Sequence, residues 1–177
     1  MLGFLRYIGV LNAGVWFGGA LVFSLVAIPA IFSQETKTLL TDQFYPYYSG
    51  AIAQLLIARY FKLQLICGII AIGHLVGENL YFGRAPQKIW FSLLAAMVGF
   101  SLIGGFWVQP RMKELHKIKY TSPNPEKRQA AAETFKTWHG ISQTVNLFMI
   151  VGLAIHLCRV AAQGEEPRFL DAGKLRS

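Results

Sequence analysis

The sequence predicts an all-α integral membrane protein, a four-transmembrane-helix bundle with an interfacial helix in its first loop. Four uncharged apolar stretches predict it, at 7–34, 63–77 with extensions at both ends, 89–110 and 137–158. A hydrocarbon core about 30 Å thick needs about 20 helical residues, and only helices or closed barrels satisfy their backbone polar groups in lipid. Charge falls between the stretches, and 54% of the 177 residues are hydrophobic. The expected domain is 1–160, with spans at about 7–32, 60–80, 89–109 and 138–159, followed by a polar tail at 161–177.

The first span opens after Arg6 and carries Gly14 and Gly18 at a spacing that lets another helix approach closely. It is too long for a signal-peptide core and lacks a small-residue cleavage site, so it is expected to stay as a helix ended or kinked by Pro29. The next segment, 36–58, contains Phe44-Tyr45-Pro46-Tyr47-Tyr48. A single helix through it and the second span would be about 50 Å long, well beyond the hydrocarbon. A break is therefore expected, with 36–58 lying at the interface and Arg59 and Lys62 snorkelling at the start of span two. A link containing Gly83, Arg84 and Pro86 makes spans two and three antiparallel neighbours. Trp107 closes span three at an aromatic belt, and a polar connection at 111–136 follows, whose ends extend helices three and four beyond the membrane.

Polar side chains inside spans are costly in lipid and turn toward other helices. On span two, Gln64, Cys67, His74 and Glu78 share one face, and His74 and Glu78 form an i, i+4 pair. On span four, His139, Ser142, Asn146 and His156 follow a near-heptad path. A seam holding the helices in register is the leading expectation. The alternative is a haem or metal site, because helical rise places His74 and His156 at similar depths. Gly73, Gly77 and Gly104 join Gly14 and Gly18 as packing positions.

Phe106-Trp107-Val108-Gln109-Pro110-Arg111 is followed after 23 residues by Phe135-Lys136-Thr137-Trp138-His139-Gly140-Ile141-Ser142, then Asn146-Leu147. Together with Val15-Trp16-Phe17-Gly18-Gly19 and Arg59-Tyr60-Phe61-Lys62, this pattern resembles the transmembrane protein 205 family over about residues 7–157. In bacteria that family is a four-helix membrane domain of unknown function. The resemblance implies a motif cluster of Pro110, Arg111, His139, Gly140, Ser142 and Asn146 meeting at one end of the bundle. In the cluster, Arg111 serves as a structural clamp on its helix's carbonyls or as an anion or substrate gate, and His139 and Ser142 bond across helices. Animal relatives are associated with resistance to platinum drugs. Here Cys67, Cys158 and four scattered methionines make a poor relay for a soft metal. The first span is also similar to copper-resistance and haem-associated four-helix membrane proteins, whose first-span histidine it lacks.

No carboxylate dyad, nucleophile triad, phosphate loop or CxxC is present, so no catalytic residue is expected. The formal charge of +8 lies in loops beside apolar spans, where it meets lipid headgroups rather than nucleic acid. The two cysteines are expected to be free thiols. The leading reading is a small non-enzymatic membrane protein, a scaffold or accessory subunit of a membrane assembly or a small-solute transporter component. Its partners are the bilayer and a homo-oligomer or larger complex, with no cofactor. The alternative is a haem- or metal-binding redox protein using His74 and His156. The location expected is the bacterial inner membrane. Ten Lys or Arg border the first and third connections against seven on the terminus side, which favours those connections facing the cytoplasm.

Overall fold

A computed structural model describes residues 2–82 and 87–162. The link at 83–86, with Gly83, Arg84 and Pro86, and the tail from 163 onward lie outside the described residues. The described chain is helical almost throughout. α1 (Leu2–Val22) passes through a π turn (Phe23–Ala27) into the short α2 (Ile28–Ile31), and α3 runs over Gln34–Phe82. α4 (Lys88–Ile103) passes through a second π turn (Gly104–Val108) into α5 (Gln109–Thr121), and α6 covers Pro125–Ala162.

The order of cross-helix contacts fixes the topology. Against α3, the α1 side descends through Leu5 to His74, Asn12 to Cys67 and Trp16 to Gln64. Against α6 it runs from Arg6 beside Ala161 to Ser24 beside Asn146. Opposing numbers fall as their partners rise, so α1 is antiparallel to both α3 and α6. Gln109 meets Gln54 and His116 meets Tyr47, which makes α5 antiparallel to α3. The result is the expected four-helix, up-down bundle.

Trp16, Ala20, Leu75, Leu94 and Leu153 fill its centre at 0–1% exposure. The outward faces are as apolar as the core: Leu25, Ile69, Phe106 and Phe148 are all more than half exposed. In the most apolar windows of the four long helices only 17–33% of residues are buried, while mean hydropathy there is 1.8–2.0. In water such a surface would be far larger than the apolar patches soluble monomers tolerate. All four helices are long and apolar enough to cross a membrane, as an integral membrane protein requires.

The first loop departs from expectation. The helix does not break near Arg59, and 36–58 is not a separate segment: α3 runs unbroken from Asp42 to Phe82, about 60 Å by helical rise. The break lies at Thr41, whose φ of 59° and ψ of 157° leave the helical region. Pro46 follows about one turn later, where its missing N–H costs a hydrogen bond only at the start of the helix. Arg59 and Lys62 are exposed and give the helix no reason to bend. Its excess length is taken up by packing against α5 instead of folding back. At this end His116 donates to the Tyr47 carbonyl at 3.0 Å, stacks on Tyr47 at 5.6 Å and lies against Phe135 of α6 at 6.0 Å.

Candidate functional site

Two proline-linked distortions shape the middle of the bundle. The N–H of Ile28 bonds to the Phe23 carbonyl, and that of Gln109 to the Gly104 carbonyl, both five residues back. Each is followed at the next residue by proline, Pro29 or Pro110, which lacks an N–H and whose ring crowds the carbonyl four residues earlier. Widening to i→i−5 relieves that clash. It also swells the helix, and single π turns of this kind recur at functional sites.

Between the two π turns Asn146 of α6 forms a hub. Its Nδ2 donates to Ser24 Oγ at 2.8 Å, and the Tyr60 hydroxyl donates to its Oδ1 at 2.9 Å. Phe23 stacks flat on Tyr60, centroids 4.0 Å apart. These bonds tie the first π turn, α3 and α6 together at one level.

A cavity of about 220 Å³ lies on each side of the hub. Both are bounded by Tyr60, Phe61, Ser142 and Asn146. The first lies among α3, α4, the second π turn and α6, and is almost wholly apolar; Trp107 and Trp138 meet edge to face in its wall at 5.3 Å. The second lies among the first π turn, α3, α5 and α6, and adds Ser24, Gln54, Gln109, His139 and Gln143 to its apolar lining. Phe61 seats against the bare backbone of Gly104, where a Cβ would collide with its ring, and so stands between the cavities. Gln54 is 6% exposed, and its Oε1 is buried without a hydrogen-bond partner among the described residues. Its backbone carbonyl accepts from Gln109 Nε2 at 3.4 Å.

The motif cluster divides. His139, Ser142 and Asn146 border the second cavity, Ser142 and Asn146 both cavities. Arg111 instead pairs with Glu114 one turn on, at 2.7 Å, with half its side chain in the open, and reaches neither its helix's terminal carbonyls nor His139. In place of the expected carbonyl clamp, Arg111 takes a carboxylate at i+3, the nearer partner. Ser142 donates to the Trp138 carbonyl of its own helix at 2.8 Å rather than across helices, and His139 stacks on Phe135 at 5.9 Å. Pro110 sets the second π turn, and Gly140 faces open space.

The seam on α3 is bonded mostly to α1 and α6. Gln64 accepts from the Trp16 indole, and Asn12 donates to the Cys67 carbonyl at 3.0 Å. His74 Nε2 donates to the Leu5 carbonyl at 2.9 Å, its ring lying where a Cβ on Gly9 would collide, and stands 3.8 Å from Glu78. Glu78 pairs with Arg159 at 3.4 Å, and Arg159 also reaches Gln87 and lies over Trp90. His156 is buried edge-on to Trp16. The His74 Nε2 hydrogen is thus already committed to a carbonyl. Among the described residues no three His, Cys, Asp or Glu side chains gather as a metal site would need, and Cys67 and Cys158 are free thiols.

Ser24, Gln54, Tyr60 and Phe61 are site residues that sequence patterning did not single out as such. Gln54 carried a signal, as the lone amide in the apolar run 51–58.

Fold and site define a class: a four-helix integral membrane protein with uncharged cavities beside a half-buried hydrogen-bonded hub. Within that class the chain belongs to the family described as Domain of unknown function (DUF4149), whose model matches residues 11–121. That match takes in both π turns and Gln54, Tyr60 and Phe61, and ends before α6 supplies Asn146. Comparison with curated proteins and with solved structures finds no match.

Proposed function

We propose that the chain is a non-enzymatic integral membrane protein, related to transmembrane protein 205, that acts as a small-solute transporter component. The observation that carries this reading is the pair of cavities divided by Phe61 and the Asn146 hub, each bounded in part by a π turn. A solute passing from one to the other needs only the Phe61 ring to turn and the hub bonds to open. The polar groups along that path hold hydrogen bonds but offer no nucleophile and base pair for chemistry. The bacterial inner membrane is the proposed location, with the basic first and third connections on its cytoplasmic side.

The test is uptake of a panel of radiolabelled small solutes by proteoliposomes. At least one should enter faster than in protein-free vesicles. Ser142→Leu, which adds bulk at a wall common to both cavities, should slow that solute severalfold while the variant inserts normally. Uptake of every solute at the protein-free rate would reject the transport reading.

One observation favours the scaffold reading as a second. A Cβ added at Gly14, Gly18 or Gly73 meets nothing within 4 Å, so these glycines are not used inside one bundle. A second copy or a larger complex would use them.

A further inference from the structure

Resting on the reading of the cavities as a solute site, we infer that they take an uncharged molecule with an apolar body and one hydrogen-bond-donating head, the head at Gln54 in the second cavity and the body reaching past a turned Phe61 ring to Trp107 and Trp138 in the first.

The absence of charge decides the class. Among the described residues no Asp, Glu, Lys or Arg borders either cavity, and the one titratable side chain beyond the Tyr60 phenol is His139, exposed at the rim. Arg111 and Lys113 belong to the adjoining helix but face outward, Arg111 already paired. An ionised solute entering here would lose its water with nothing to replace it. A soft metal ion fares no better, since among the described residues Met112 and Met149 supply the only sulfur and sit on different cavities.

The head is assigned by the orphaned acceptor. Asn146, Ser24, Tyr60 and Ser142 already bond to protein groups, whereas Gln54, which lines the second cavity, holds a fully buried acceptor, Oε1, without a partner among the described residues. Rotation of its terminal amide, a soft torsion, presents it to whatever fills the space. A buried polar group left so is costly until a donor arrives, which is how a site selects a ligand that carries one. The apolar end follows from the other cavity, whose wall is aromatic and aliphatic apart from a few satisfied amides and hydroxyls. Its volume of about 220 Å³ suits a body of two or three fused rings or a short alkyl chain.

Three probes of one shape test this: 1-aminoanthracene, a neutral donor; anthracene, with no polar group; and anthracene-9-carboxylate, an anion. Binding to the full chain in lipid nanodiscs is read by energy transfer from tryptophan, with Trp107→Phe as the check that the probe sits in the cavity. The amine should bind about three- to tenfold tighter than anthracene, the factor a single neutral hydrogen bond carries, and the carboxylate weakest. Gln54→Leu should erase the preference for the amine and leave anthracene binding in place, which also shows that the variant is folded. Equal affinity of amine and anthracene, an unchanged preference in Gln54→Leu, or tightest binding by the carboxylate would overturn the inference and leave the cavity reading standing. Failure of all three probes to bind would overturn the cavity reading itself.

Discussion

Asn146 and Arg111 belong to the same sequence motif, yet their surroundings give them opposite weight. Asn146 is half-buried and bonds to two other elements, and an interhelical hydrogen bond within a membrane contributes about 0.6 to 2 kcal/mol. Asn146→Leu should therefore lower stability by about 1–3 kcal/mol, and Tyr60→Phe, which removes one of the two bonds, by about half as much. Arg111 has an exposed i, i+3 partner, and such pairs are worth about 0.3–0.5 kcal/mol. Arg111→Ala should leave the thermal midpoint of the detergent-purified protein within about a degree of wild type. A midpoint lowered more by Arg111→Ala than by Asn146→Leu would reverse this assignment. The motif's chemistry was legible in the sequence only in part. The inward direction of Asn146 follows from helical spacing, since an amide on an apolar face has to find partners in the bundle. The partner of Arg111 was not legible, because choosing between Glu114 and a distant carbonyl needs side-chain geometry that spacing does not supply.

At the scale of elements, glycine serves two purposes that the sequence does not separate. At Gly104 the bare backbone receives the ring of Phe61, at Gly9 that of His74, and at Gly50 that of His116; a Cβ at any of the three would collide with the ring. Gly14 and Gly18, which share the i, i+4 spacing of a packing motif, face open space. Gly104 was expected to pack just as Gly14 and Gly18 were, and only the position of the neighbouring helix tells them apart. Gly104→Leu should thus displace Phe61, cost about 1–3 kcal/mol as overpacking of a filled site, and close the passage between the cavities. Gly14→Leu should leave folding and solute binding intact, and should lower the yield of chemically cross-linked dimer if that face meets a second copy. Equal thermal midpoints for the two variants would show that Phe61 does not depend on Gly104 for its seat. The π turns were legible only in part: Pro29 foretold an end or a kink, but whether a proline kinks a helix or widens it depends on the packing around it.

For the molecule as a whole, the helices outlast the lipid. The apolar stretches account for about 30 Å of hydrocarbon, and α3 measured from Asp42 is about twice that. The surplus is collected at one end, where α3 before Arg59, α5 after Pro110 and α6 before Trp138 pack as a continuation of the bundle. The sequence revealed the spans because lipid imposes a length and a composition on them. The extension of helices three and four was legible in the polar connection at 111–136, whereas the part that α3 adds was not, because outside lipid an apolar-aromatic segment such as 44–57 reads equally well as interfacial. What holds it upright is tertiary: His116 seated on Gly50, and Tyr47 and Phe135 against the same imidazole. Single cysteines in a chain lacking Cys67 and Cys158 distinguish the two arrangements. Tyr48→Cys, Lys117→Cys and Gln129→Cys should react quickly with a water-soluble maleimide in proteoliposomes opened to both sides, and Leu25→Cys, Ile69→Cys and Phe148→Cys should stay protected. His116→Ala should leave that pattern unchanged in the spans while raising deuterium exchange over 42–57, since the upright segment would lose its principal contact. Protection at Tyr48→Cys as strong as at Ile69→Cys would mean that α3 lies down in the interface and that the continuation does not form in a bilayer.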